Sequence, residues 1–171
     1  MEQQTTTARV ALKYGVVTAI ASIVYITILY VSGQFTNNSL TSLSLVILIV
    51  AMIVAMKEFR EDSNGFMSYG QGLGIGTLMA AVSGFISSVY NYIYISFIDQ
   101  TITQQILDKA RSGMEARGSD EAQIEASMAF IEKISSPGFG FAIGIISTVI
   151  VGFVIALVVS AIMKKDKPVF D

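Results

Sequence analysis

Apolar residues run through this chain in four long blocks separated by short polar stretches. No charged side chain lies between Tyr14 and Met56, between Ser63 and Ile98, or between Ile134 and Met163. A charge at the centre of a membrane helix costs roughly 2.5–3.5 kcal/mol even on the lenient insertion scale. Runs of this length therefore belong in hydrocarbon. The blocks cover 10–31, 40–56, 70–98 and 138–163. The second, at 17 residues, is near the lower limit of about 17–25 for a span. The third would rise about 43 Å against about 30 Å of hydrocarbon, so it predicts a helix that tilts or protrudes. The expected fold class is all-α: a polytopic membrane protein with four transmembrane helices in a single domain, 1–171.

The polar stretches give the connections. Ser32 to Ser39 supplies a turn, and Lys57-Glu58-Phe59-Arg60-Glu61-Asp62 is expected to stop the second span. The segment 99–137 leaves the membrane yet keeps helical patterning. Ile102, Ile106, Ala110 and Met114 repeat at one-turn spacing with Leu107 beside them, and Ile124, Met128 and Ile131 form a second stripe. Asp120 offers an N-cap, with Gln123 three residues on to complete a capping box. Two helices, 99–115 and 119–135, joined at Arg117-Gly118, predict an antiparallel hairpin standing upright between the third and fourth spans. Helices lying flat on the membrane are the weaker reading, because the polar face is acidic and surface-seeking helices favour Lys and Arg. Asp120, Glu121 and Glu125 read as a solvated face, since they lack the spacing of a calcium loop.

Charge then sets orientation. Seven basic residues (Arg9, Lys13, Lys57, Arg60, Lys164, Lys165, Lys167) fall in the N-terminal segment, the middle connection and the tail. With four spans these segments share one face, and the positive-inside tendency makes that face, with both termini, cytoplasmic. The hairpin is then extracytoplasmic, with four basic residues against seven acidic ones. A cleaved signal peptide is the rival reading of the first block, but its apolar core exceeds the usual 7–15 residues. Composition agrees with the membrane reading: 53% of residues are hydrophobic and 14% charged, against about 25% charged in soluble domains. A net charge of −2 gives no reason to expect nucleic acid. Cysteine and histidine are absent, which removes thiol chemistry, the commonest general base and the commonest transition-metal ligand. No catalytic residue, cofactor or metal site is expected, nor an enzyme.

Small residues recur at every fourth position. The third block gives Gly72, Gly76, Ala80, Gly84 and Ser88; the fourth gives Gly140, Gly144, Thr148, Gly152, Ala156 and Ser160; the first gives Ala11, Gly15 and Ala19. Such rows form grooves that let two backbones approach, replacing the hydrophobic drive that lipid does not supply. They predict packing of the third span on the fourth, with an oligomer seam or a docking face as the rival. The run Gly70 to Gly76 lacks the spacing and the flanking elements of a nucleotide loop. Tyr90, Tyr92 and Tyr94 lie 20–24 residues past Gly70, about 30 Å across, and read as interfacial anchors. Lys13, Lys164 and Lys165 read as anchors on the other face, with Lys13 free to snorkel. Interior polarity is limited to hydroxyls such as Ser22, Thr27, Ser83, Ser87 and Thr148, which commonly bond their own helix.

Ala11-Leu12-Lys13-Tyr14-Gly15, Met56-Lys57-Glu58-Phe59-Arg60 and Asn64-Gly65-Phe66-Met67-Ser68-Tyr69-Gly70-Gln71, together with Gly118 to Ala126, resemble the family named domain of unknown function 4199. The resemblance runs over essentially the whole chain. It implies a small four-span protein of the inner membrane of Gram-negative bacteria and carries over no activity. The expected role is a non-enzymatic structural or accessory helical bundle whose partners are the lipid bilayer and another membrane protein or a second copy of itself. The rival is a small oligomeric channel or carrier for a neutral solute.

Overall fold

A computed structural model describes residues 6–167. Six helices follow in order: α1 (Thr7–Val31), α2 (Asn38–Asp62), α3 (Tyr69–Ile93), α4 (Thr101–Glu115), α5 (Glu121–Ser135) and α6 (Pro137–Met163). A π-helical turn, Tyr94–Ile98, extends α3. Four helices, α1, α2, α3 with its π turn, and α6, are long and apolar enough to cross a membrane. Among the described residues β-pairing is confined to one antiparallel bridge, in which Met67 and Lys165 exchange N–H···O bonds of 2.8 and 2.9 Å.

Local chemistry marks the helix ends. Gly33 takes φ +67°, a left-handed conformation that costs a residue without a β-carbon least. The Gln34 N–H then reaches Leu29 O at 2.9 Å and the Gly33 N–H reaches Tyr30 O at 3.1 Å, satisfying two orphan carbonyls of α1. Gly118, at φ +75°, repeats the device at the exit of α4, where the Ser119 N–H donates to Met114 O at 3.2 Å. Asp120 caps α5 by accepting from the Gln123 N–H at 2.8 Å. A full reciprocal capping box forms instead at Ser68 and Gln71, at the start of α3.

Several boundaries differ from the sequence reading. The charged block does not stop α2, which runs on to Asp62. Charges end burial in hydrocarbon, but a helix continues readily in water. The third block is not one straight helix either. At its end the Asp99 N–H bonds Tyr94 O at 2.9 Å, an i→i+5 bond that inserts an extra residue into the turn. Each of the two short helices has 15 residues rather than 17. The Asp99 carboxylate accepts from the Thr101 N–H at 3.0 Å, so the chain turns there before α4 begins. The pair does not stand clear of the bundle. Lys109 donates to Asn38 at 2.9 Å, and Ile106, Ala110 and Met114 face Phe35 and Thr36 across a groove. This stripe, expected to seal α4 to α5, is shared with the α1–α2 turn.

α3 is the hub. α6 packs along one side of it, α1 along another, and α2 touches all three. α3 and α6 run antiparallel, and their small residues meet in five rungs: Gly72 on Ser160, Gly76 on Ala156, Ala80 on Gly152, Gly84 on Thr148 and Ser88 on Gly144. The fit leaves no room for a methyl group. A β-carbon on Gly76 would lie 2.6 Å from Ala156 Cβ, one on Gly84 2.9 Å from Thr148 Cβ, one on Gly144 2.8 Å from Ser88 Oγ, and one on Gly152 would collide with Ala80 Cβ. Gly140 lies outside the seam, exposed, and a β-carbon there would meet nothing nearer than Ile134 O at 3.8 Å. The next rung would need Tyr92, whose ring is too large for flush packing and rests on Phe141, centroids 6.3 Å apart. α1 approaches α3 in the same manner at Gly15, where a β-carbon would meet Val82 Cβ at 2.8 Å.

The core fills the end of the bundle that carries the Lys57–Asp62 block. Met52, Met56, Phe59, Met67, Ile75 and Met79 are buried there with Val10, Ala11 and Ala156. Methionine suits this place because its flexible thioether fills the irregular gaps beside glycine; Met52 Sδ lies over Gly76. Gly70 and Gly74, by contrast, face open space. Gly152→Leu is accordingly expected to cost more than the 1–3 kcal/mol or so typical of overpacking and to abolish monodisperse elution in detergent. Gly74→Leu should elute and melt as the parent does.

Candidate functional site

Beyond Leu48 the packing changes. The helices that carry methionine and isoleucine toward the core at one end carry hydroxyls at the other: Thr18 and Ser22 on α1, Ser44 on α2, Ser83 and Ser87 on α3, Ser147 and Thr148 on α6. Serine is too short to reach across to the opposite helix, so space remains. The result is a cavity of about 310 Å³ bounded by all four long helices, with Ile26, Leu45, Leu48 and Val151 completing the walls.

The hydroxyls fall into two sets. Thr18, Ser83 and Thr148 donate back to their own helices, to Tyr14 O at 2.7 Å, Ala80 O at 3.2 Å and Gly144 O at 2.8 Å. Thr27, nearer the α4–α5 end, does the same to Ile23 O at 2.6 Å. Ser22, Ser44, Ser87 and Ser147 make no side-chain hydrogen bond among the described residues. The sequence reading assigned such hydroxyls to their own backbones, which holds for the first set and not for Ser22 and Ser87.

A polar girdle roofs the cavity. Tyr30 donates to Asn91 Oδ1 at 2.6 Å, while Asn91 Nδ2 donates to Ser87 O at 2.8 Å. The Tyr90 and Thr27 hydroxyls are 2.5 Å apart, and Tyr30 stacks on Tyr94 with centroids 4.9 Å apart. The three tyrosines expected at the interface differ in exposure. Tyr94 is only 8% exposed and Tyr90 half-buried, because both lie on the α3 face that packs on α1. Tyr92 alone of the three points outward.

At the opposite end Lys13 does not simply snorkel. Its ammonium straddles the Glu58 carboxylate at 2.7 and 2.9 Å, and the Tyr14 hydroxyl donates to the same carboxylate at 2.7 Å. This cluster ties the start of α1 to the end of α2. Lys164 lies 4.0 Å from Asp166, and Lys165 holds its ammonium over the Phe66 ring while its backbone makes the bridge to Met67. Arg60 also reaches Met163 O at 3.4 Å. The α2–α3 connection and the tail thus enclose a crevice of about 510 Å³. Among the described residues no three His, Cys, Asp or Glu side chains come together as a metal set.

Four helices long and apolar enough to cross a membrane, three of them packed about α3, mark this as a helical membrane protein. Within that class the chain belongs to the family of proteins of unknown function DUF4199, whose model matches residues 13–165. Neither a curated protein nor a solved structure matches the chain.

The Lys13–Glu58 pair is partly exposed, its side chains at 56% and 30%, so solvent screens it. A double-mutant cycle with Lys13→Ala and Glu58→Ala, read by thermal melting in detergent, is expected to give a coupling of roughly 0.2–1 kcal/mol. That coupling should shrink as salt is raised.

Proposed function

We propose that this chain is a non-enzymatic accessory subunit of the bacterial inner membrane, with both termini cytoplasmic and α4–α5 an extracytoplasmic antiparallel hairpin. The five-rung seam supports this reading most directly. A carrier alternates by sliding or rocking one helix group on another, and a seam with no room for a methyl group resists both motions. What such a scaffold offers is a fixed surface. The exposed, acidic α4–α5 pair and the open glycine face at Gly70 and Gly74 suit another membrane protein or a second copy of the chain. Orientation rests on the basic residues of the connections and tail.

One observation favours a second reading. The hydroxyl-lined cavity is neutral throughout and suits a polar solute without an ionisable relay, as a small carrier or channel requires. Flux of such a solute through liposomes holding the purified protein, abolished on filling the cavity, would establish that reading in place of the first.

The absence of cysteine makes topology directly measurable. A single cysteine placed at Gln105 or Gln123 is expected to react with a membrane-impermeant maleimide in intact spheroplasts. One placed at Asn64 should react only after permeabilisation. The reverse pattern inverts the assignment. Cross-linking from Gln105 should recover one defined membrane partner or a dimer; recovery of monomer alone removes the accessory role.

A further inference from the structure

We infer that the cavity above Leu48 is a lateral binding cleft for the head region of one neutral lipid of the diacylglycerol class, which enters between α2 and α6 from the bilayer. The inference rests on the membrane reading and is compatible with the accessory role, but it excludes use of the same cavity by a water-soluble solute.

Direction of access comes from burial. The back wall is closed: Thr18 on α1 and Ser83 on α3 are 2% and 4% exposed. Leu45 on α2 and Val151 on α6 line the same cavity, yet they are 44% and 39% exposed. The opening therefore lies between α2 and α6. Its lower edge is where Leu48 approaches Gly152, a β-carbon there standing 3.9 Å from Leu48 Cδ2. Below that edge the methionine core is solid.

Depth comes from helical rise. Ser44 is 12 residues from Met56, the last residue before the charged block, and so about 18 Å from it. Half of a hydrocarbon layer about 30 Å thick is about 15 Å. The cleft thus faces the leaflet on the α4–α5 side, between the midplane and the headgroups. A molecule reaching it there arrives through lipid.

Chemistry restricts what it holds. Ser22, Ser44, Ser87 and Ser147 supply four hydroxyls without protein partners among the described residues, and in hydrocarbon an unmade hydrogen bond is costly. Each can donate and accept, which matches ester carbonyls and a free hydroxyl. No charged side chain lines the cavity, so a phosphate headgroup would be buried without a counter-charge. A volume of about 310 Å³ is at the lower end of the roughly 300–1,000 Å³ range of ligand pockets. It admits a glycerol head with its ester groups and leaves the acyl chains in the bilayer against Leu45 and Val151.

The test uses the full-length protein in liposomes doped with a diacylglycerol carrying a diazirine beside one ester group, and in parallel with a phosphatidylglycerol carrying the same diazirine. Cross-links are mapped by mass spectrometry. Diacylglycerol is expected to label the walls around Ser44 and Ser147, and excess unlabelled diacylglycerol should compete it away. The phosphatidylglycerol should label the outward faces of the helices evenly. Ser44→Leu and Ser147→Leu fill the mouth at positions that lipid tolerates, and they should cut labelling at least tenfold while elution and melting stay unchanged. Equal labelling by both lipids, or labelling indifferent to these substitutions, overturns the proposal, since the cleft would then hold bulk lipid. Glycerol uptake by the same liposomes, lost in Ser44→Leu, also overturns it by assigning the cavity to a water-soluble polyol.

Discussion

A membrane gives its helices no hydrophobic reason to associate, because lipid tails are as apolar as leucine. Close backbone approach over many atoms has to supply the attraction instead. In this protein that approach is concentrated between α3 and α6, where glycine, alanine, serine and threonine interlock every fourth residue over five rungs. At Gly76, Gly84 and Gly152 an added carbon would lie under 3 Å from the facing side chain, so dispersion acts there across a short interhelical distance. The rest of the bundle is organised from this pair. α1 joins α3 through a tight approach at Gly15 and the tyrosine hydrogen bonds nearer the α4–α5 end, and α2 closes the ring with long side chains, chiefly Met52 and Met56. Helices with fewer small residues stand farther off and need larger side chains to fill the distance.

Much of this was legible in the sequence, and the misses share a cause. Span number and position follow from solvent, a property of each residue run by itself. The seam followed from a four-residue period that needs no knowledge of the partner beyond its being a helix. What one run does not encode is what lies opposite. Gly140 continues the period of α6 but would face Tyr92, so the seam ends before it. That Tyr90 and Tyr94 share the face α1 covers is likewise not visible in their spacing. Lys13 looked free until α2, running past its apolar block, brought Glu58 alongside. α2 itself runs past its apolar block to Asp62, because a helix that leaves lipid continues readily in water.

The π turn and the leaning of α4 were out of reach for a different reason. An i→i+5 turn has no composition of its own; it appears where two packing registers meet and one residue is surplus. Here α3 keeps step with α6 through Ser88, and α4 then settles against the α1–α2 turn through Lys109 and Asn38. The residues Tyr94–Ile98, with the surplus residue of the π turn, lie between these two attachments.

The cavity shows how one residue type serves opposite ends. A small side chain facing a helix that has come close makes a seam; the same side chain facing a helix held away makes a hole. α3 displays both, with Ser88 seated on Gly144 and Ser87, one residue before it, opening into the cavity. Which outcome prevails is set by α2, the helix without a glycine row. At the methionine end its long side chains fill the distance to α3 and α6. At the other end it presents Ser44 and Leu45, of which only Leu45 is large, and that side chain is exposed at the mouth. Restoring bulk on α2 at Ser44 is thus a change in volume that leaves the α3–α6 seam untouched. For that reason the cleft can be closed without dismantling the scaffold that frames it.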